Sequence, residues 1–286
     1  MMDSIYLNGA YLPLSEARIS PMDRGFLFGD GVYEVIPVYA GKAFRLDEHL
    51  KRLQFSLDGI QLDNPLTTEA WQEVCYQLIQ QHPGADQNLY LQVTRGEVTT
   101  RDHSFRRQDA GTPTVFAMCS PLKAPDKELF EKGVRSVTLD DIRWQYCHLK
   151  VISLISNVLL RQQAEDAGGV EALLVRNGWV TEGSASNFFM VQQGVLVTPP
   201  KTHQLLPGIT RDLILELAEE ARIPVREEAV KLETLLRADE VWLTSSVREI
   251  LPVTQVDDTV IADGKPGPLW HKLTQLFSEF KINLHR

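Results

Sequence analysis

Cysteine is scarce: the 286 residues include three, Cys75, Cys119 and Cys147. They form no CxxC pair and no histidine cluster accompanies them, which argues against a zinc site and against a disulfide framework. A sparse, odd count suits a reducing compartment. Positive charge is also in deficit, with 29 lysines and arginines against 38 aspartates and glutamates and a formal net charge of −9. A nucleic-acid or anionic-membrane surface is therefore a poor candidate for the main partner, and an anionic ligand must be held by a few local cations. Long hydrophobic runs are missing too: nothing approaches the roughly 20 apolar residues that span a bilayer. The opening MMDSIYLNGAYLP has neither the basic nor the apolar region of a secretory signal, so the expected address is cytoplasmic. GxxxxGK[ST], GxSxG and HExxH are all absent, and the seven histidines are scattered, so no metal is expected. Gly29-Asp30-Gly31-Val32-Tyr33-Glu34 begins like a dinucleotide fingerprint. It lacks the third glycine and runs into a strand pattern, which rules that reading out.

What is present is an ordinary globular composition, 43% hydrophobic and 23% charged, in one large domain or two medium ones. Strand-like runs cover 4–7 and 32–39, and in the second the alternation of Tyr33, Val35 and Pro37 gives one face something to line. Asp47 reads as the cap of a helix with Leu50, Leu53 and Leu57 on one side. A second helix follows Pro65 and Thr67, with Trp71, Val74, Cys75, Leu78 and Ile79 at helical spacing. Strands over 89–94 and 114–118 flank a polar loop, Arg95 to Gly111, longer than a hairpin turn requires. The stretch 120–132, with Pro121 and Pro125, reads as a connector. This divides the chain into a small N-terminal domain over 1–120, a connector over 121–134 and a larger C-terminal domain over 135–286. In the second half, strands at 136–139, 171–176, 188–191 and 241–244 alternate with helices at 152–167, 211–221 and 268–282. The last helix carries Leu269, Leu273, Leu276, Phe277 and Phe280 on one side. Such mixed runs imply α+β more than a doubly wound sheet.

Lys150 stands out, a single amine in the apolar run HLKVISLISNVLL. Burying an unpaired ammonium is costly and favours the neutral amine, which attacks carbonyls and joins aldehyde cofactors. The alternative is a lysine at a helix start whose stem lies on the core while its head reaches water. Leu206-Pro207-Gly208-Ile209-Thr210-Arg211-Asp212 reads as a helix start with Thr210 as cap, hence either an anion site or an ordinary capped helix. The hydroxyls of Thr244-Ser245-Ser246 would add donors to such an anion, and Arg52 would add charge unless it is a surface residue. Glu182, in Thr181-Glu182-Gly183, is either a turn carboxylate or the acid that keeps a pyridine nitrogen protonated. Arg101-Asp102-His103 on the polar loop puts two cationic groups at i and i+2, suited to a carboxylate or to solvent.

Six motifs occur in one order: Asp23-Arg24-Gly25 to Gly29-Asp30-Gly31-Val32-Tyr33-Glu34; Asp47-Glu48-His49-Leu50-Lys51-Arg52-Leu53; Gln92-Val93-Thr94-Arg95-Gly96; Asp141-Ile142-Arg143-Trp144 to Leu149-Lys150; Thr181-Glu182-Gly183-Ser184-Ala185-Ser186-Asn187; and Gly208-Ile209-Thr210-Arg211-Asp212. That order resembles the class IV (fold type IV) pyridoxal-phosphate aminotransferases, most closely those acting on D-amino acids. The resemblance implies two α/β domains with pyridoxal 5′-phosphate in the interdomain cleft. It implies that Lys150 binds the cofactor covalently and shuttles the proton, and that Glu182 pairs with the pyridine nitrogen. Arg52, the amides around Ile209 and Thr210, and Ser246 would hold the phosphate. Tyr33, with Arg101 and His103 from the neighbouring subunit of a homodimer, would grip the carboxylate of a D-amino acid that donates to a 2-oxo acid. Two features depart from familiar D-specific members: the stretch before Arg101 is about one residue longer, and Pro37 replaces a lysine of some relatives. The competing readings are an L-branched-chain aminotransferase, a 4-amino-4-deoxychorismate lyase of the same fold, and a catalytically silent cofactor carrier.

Overall fold

The computed structural model describes residues 4–105, 111–123 and 126–284. They fall into two units, one holding the described residues up to Lys123 together with Leu149–Leu154, the other holding 126–148 and Ile155–Leu284.

The first unit runs β1 (Ser4–Leu7), β2 (Ala10–Pro13), α1 (Arg24–Phe28), β3 (Gly31–Tyr39), β4 (Lys42–Ala43), α2 (Leu46–Gly59), α3 (Thr68–Ile79), β5 (Gln87–Thr94) and β6 (Thr114–Pro121). Its sheet has the order β2-β1-β6-β5-β3-β4, antiparallel throughout. Leu50, Leu53 and Leu57 of α2 and Trp71, Val74, Cys75, Leu78 and Ile79 of α3 pack on Val32, Ile36, Val38, Leu89, Leu91 and Val93 in one apolar core. The helical spacing therefore identified the buried faces correctly. Thr67 caps α3, its hydroxyl accepting from the Ala70 N–H at 3.2 Å. Asp47 does not cap α2: the cap is Arg45, in the left-handed region at φ 49°. Asp47 lies in the first turn and accepts instead from Gln72 Nε2 at 2.9 Å.

The second unit runs α4 (Lys127–Lys132), β7 (Val134–Asp140), α5 (Ile155–Asp166), β8 (Glu171–Arg176), β9 (Trp179–Gly183), β10 (Asn187–Gln192), β11 (Val195–Thr198), α6 (Ile209–Glu220), β12 (Val225–Glu227), β13 (Val230–Lys231), α7 (Leu232–Leu235), β14 (Glu240–Ser245), β15 (Glu249–Val256), β16 (Thr259–Val260) and α8 (Pro268–Asn283). The sheet order is β12-β11-β10-β14-β15-β7-β8-β9-β13, with β16 on β15. β12–β11, β15–β7 and β7–β8 are parallel and the other pairs antiparallel, which makes the fold α+β with a mixed sheet. Leu160 and Ala164 of α5 close one apolar cluster over Val137, Ala172 and Leu174. On α8, Trp270, Leu273 and Phe277 form the buried stripe, while Leu269, Leu276 and Phe280 are half-buried at its margins.

Two sequence expectations change. The stretch expected to be a plain connector contains α4. The helix expected over 152–167 begins only at Ile155, because the residues before it are extended and bonded to β3. Val151 bridges Val32, Tyr33 N–H donates to Lys150 O at 3.0 Å and Ile152 N–H donates to Gly31 O at 3.0 Å.

Candidate active site

That short bridge decides where Lys150 points. In extended chain successive side chains face opposite ways, so Leu149 and Val151 enter the core of the first unit while Lys150 faces away from it, half-buried. Full burial among apolar neighbours is thus the wrong picture of this amine, and so is a helix start. Its Nζ lies 4.2 Å from the ring centroid of Tyr33, which occupies the same side of β3 and stacks on Tyr90 at 5.8 Å. No carboxylate pairs with Lys150 among the described residues, and its backbone N–H is fixed by Ser56 Oγ at 3.1 Å.

The opposite face of β3 carries Glu34, fully buried between Val32 and Ile36. One turn of α2 answers it with His49 and Arg52, three residues apart and so on one side of the helix. Arg52 Nε and Nη2 donate to the two Glu34 oxygens at 2.8 Å each, and His49 Nδ1 lies 2.8 Å from Glu34 Oε2. Burial alone would raise the Glu34 carboxyl, but the Arg52 fork and the imidazole hold it well below the usual carboxylate range. Arg52 is thus not a solvated surface charge: it is buried, and part of its guanidinium is committed to Glu34.

A second charge cluster lies within the second unit. Glu182, on β9, is buried; its Oε1 accepts from Arg143 Nη1 at 2.5 Å, and its Oε2 accepts from Asn187 Nδ2 and from the Leu206 N–H, each at 3.1 Å. Arg143 turns its remaining fork to Asp141, with Nε to Oδ1 at 2.9 Å and Nη2 to Oδ2 at 3.0 Å. Arg176 and Thr181 also bind Asp141 Oδ2, at 3.0 and 3.1 Å. Two carboxylates and two guanidiniums make this chain neutral with Glu182 ionised. Burial pushes the Glu182 carboxyl up to about 7, against the pull of Arg143. Oε1, with one donor, keeps a lone pair for another N–H. Four hydroxyls among the described residues of this unit are buried without a partner, those of Ser136, Ser186, Thr244 and Thr274. Thr244 stands directly opposite Asn187 across β10 and β14, hence on the same face as the residue that holds Glu182. An orphaned donor and an open carboxylate lone pair are what a buried polar ligand with a ring N–H would satisfy.

Residues 31–256 match the model of the amino-transferase class IV family. This chain belongs to the class IV aminotransferases. It is 42% identical to a D-alanine aminotransferase of Bacillus licheniformis over 93% of this chain and 92% of that protein. It is 39% identical to a D-alanine aminotransferase of Staphylococcus aureus (strain N315) over 98% of each. Among solved structures, the Escherichia coli branched-chain amino acid aminotransferase superposes with a TM-score of 0.90 at 28% identity, covering 98% of this chain and 94% of that one.

The remaining expected residues of this class IV aminotransferase fall as follows. Ile209 and Thr210 are buried in the first turn of α6, but the cap is Gly208 rather than Thr210. A side chain at Gly208 would meet Asn187 Oδ1 at 2.0 Å, so its lack of a Cβ keeps α6 close to the residue that holds Glu182. Ser246 is half-buried just past β14. Arg101 and His103 are exposed on the loop after β5 and lean on Phe28: the guanidinium carbon of Arg101 is 4.8 Å from that ring and the His103 ring 5.1 Å. Residues 106–110 of the loop lie outside those described. The sequence reading gave no role to Glu34, His49, Arg143 or Asn187. A charged residue alternating into the buried face of a strand at Glu34, and the opposite charges of Asp141 and Arg143 two residues apart in one motif, were the available signals. Among the described residues no group of three or more His, Cys, Asp or Glu is placed to hold a metal, and no helix is long and apolar enough to cross a membrane.

Proposed function

We propose that this aminotransferase uses pyridoxal 5′-phosphate to move the amino group of a D-amino acid, of the D-alanine type, to a 2-oxo acid. The observation that carries the substrate class is the near-full-length similarity to D-alanine aminotransferases at 39–42% identity. The cofactor, when bound, supplies an electron-withdrawing pyridinium that acidifies the α-C–H of the substrate.

The residues then divide the work. Lys150 would hold the cofactor through Nζ, and the same nitrogen would take the α-proton and return it; an amine facing the Tyr33 ring with no carboxylate partner among the described residues is suited to both tasks. Glu182 would accept the ring N–H at Oε1, Arg143 and Asn187 fixing the carboxylate in place. Arg52, the N–H groups of Ile209 and Thr210, and the Ser246 hydroxyl hold the phosphate, Glu34 and His49 having set the Arg52 side chain beforehand. Tyr33, Arg101 and His103 grip the substrate carboxylate, the last two reaching into the neighbouring site of a homodimer. The expected compartment is the cytoplasm.

The test is a half-reaction on purified, cofactor-loaded protein. D-alanine should convert the cofactor to its amino form with one equivalent of pyruvate, and borohydride reduction beforehand should place the label on Lys150. The similarity to branched-chain enzymes in fold favours a second reading, in which L-leucine reacts and D-alanine does not. Catalytic pyruvate release from a chorismate-derived substrate would indicate the lyase, and a coloured protein inert to every amino acid would indicate a carrier.

A further inference from the structure

The recognition loop after β5 is exposed, yet its backbone is tied to a buried cation. Arg24, on α1 and 4% exposed, donates from Nε to Asp30 Oδ2 at 2.8 Å, from Nη1 to Asp102 O at 2.5 Å and from Nη2 to His103 O at 3.1 Å. Asp30 is held from its other side by Arg95, whose Nε and Nη2 bond it at 2.9 and 3.0 Å. The guanidinium of Arg95 in turn lies 3.8 Å from the ring centroid of Phe105. Phe28 is a shared platform: Arg24 and Arg101 each approach its ring at 4.8 Å, beside His103 at 5.1 Å.

The stem of the loop is docked on the same N-terminal turn. Arg24 N–H donates to Gly96 O at 2.9 Å, Val98 N–H to Met22 O at 3.2 Å, and Asp23 bridges Glu97. Gly96 has φ +87°, and a Cβ there would lie 2.0 Å from Thr112 O; one on Gly111 would lie 2.3 Å from Glu97 O. The two sides of the stem thus touch backbone to backbone. Beyond the stem, the side chains of residues 99–105 are exposed, so burial does not order them. Fixing them falls to the Arg24 fork, which presents planar donors to two consecutive carbonyls and a carboxylate together. An ammonium has no such geometry.

We propose that Arg24 is the positioning residue of the substrate-carboxylate grip: by holding the carbonyls of Asp102 and His103 it sets where Arg101 and His103 project. This rests on the reading that Arg101 and His103 bind the carboxylate. Arg24 touches no substrate itself, so its loss registers in substrate affinity and not in the proton-transfer step.

The test compares cofactor-loaded wild type with Arg24→Lys, which keeps the charge beside Asp30 but loses the fork. Losing one charge-assisted hydrogen bond predicts a KM for D-alanine raised about tenfold with kcat changed less than about twofold. Hydrogen exchange of the peptide covering 97–105 should accelerate in the variant while β3 and β5 exchange as before. The double variant Arg24→Lys/Arg101→Ala should raise KM by less than the product of the two single effects, since both act through one grip, the remaining increment being that of His103. Arg24→Gln, beside which Asp30 keeps its two bonds from Arg95, should raise KM at least as much and stands in if Arg24→Lys fails to fold. Unchanged KM in Arg24→Lys (or in Arg24→Gln as its stand-in) beside a raised KM in Arg101→Ala overturns the anchor alone. Unchanged KM in Arg101→Ala overturns the grip reading and the anchor with it.

Discussion

Glu34 in the first unit and Glu182 in the second are both buried, and both face an arginine, yet their carboxyl groups move in opposite directions. Burial raises each. Glu34 receives two N–H groups of Arg52 and the His49 ring, and this direct pairing outweighs burial. Glu182 receives one N–H of Arg143, because the rest of that fork is spent on Asp141. Its carboxyl therefore stays raised, to about 7. The difference separates a closed structural pair from an open one. Glu34 has its charge neutralised within the fold, whereas Glu182 is left under-compensated, with an acceptor position for a partner that the described residues do not supply.

The comparison can be broken at either end. Glu34→Leu removes the carboxylate that pairs with the buried Arg52 guanidinium and should cost about 3–5 kcal/mol in urea unfolding; adding Arg52→Met should recover much of it. Glu182→Gln should lower kcat about a hundredfold while sparing the fold, since the amide still bonds Asn187 but cannot balance a ring N–H charge. A loss of stability comparable to that of Glu34→Leu would show that the two glutamates are not different in kind.

The pH dependence has opposite signs at the two sites. The folded-state carboxyl of Glu182 is raised from 4.5 to about 7, so its contribution to stability is fully present below 4.5 and lost as pH rises through 7. Cofactor-free wild type should therefore lose about 2–3 kcal/mol relative to Glu182→Gln between pH 4.5 and 8. Glu34, lowered, contributes stability that is present above 4.5 and lost on strong acidification. Unfolding free energies against wild type measure the two slopes, that of Glu182→Gln between pH 4.5 and 8 and that of Glu34→Leu below pH 4.5. The smallest effect is expected at Asp47→Ala. That residue neither caps α2 nor is buried, so the change should stay within about 0.5 kcal/mol, where a true cap would cost about 1.

Much of the architecture was legible because it depends on local period. Leu50, Leu53 and Leu57, and the α3 series from Trp71 to Ile79, repeat at helical spacing, and the spacing named their buried faces. The ordered motifs singled out Lys150, Glu182, Arg52 and the Gly208-Ile209-Thr210 turn as candidates for the proposed site. Caps were less legible: Asp47 and Thr210 are good capping residues by type, but Arg45 and Gly208 occupy those positions, since capping depends on where the chain leaves the preceding turn. The exposed face of Lys150 was misread for a similar reason. An apolar run looks buried throughout when scanned for composition, whereas pairing as an extended segment sends alternate residues to opposite sides.

The sequence by itself determined the α+β class, the helical faces and the order of motifs that marks the class IV aminotransferases, because these rest on residues a few positions apart and on their identities. Only the tertiary structure decided which charge answers which: Arg52 with Glu34 across 18 residues, Arg143 with Glu182 across 39, Arg24 with His103 across 79. Those choices depend on which strand lies beside which helix, and a guanidinium is selective only through the direction of its fork, which no linear spacing encodes.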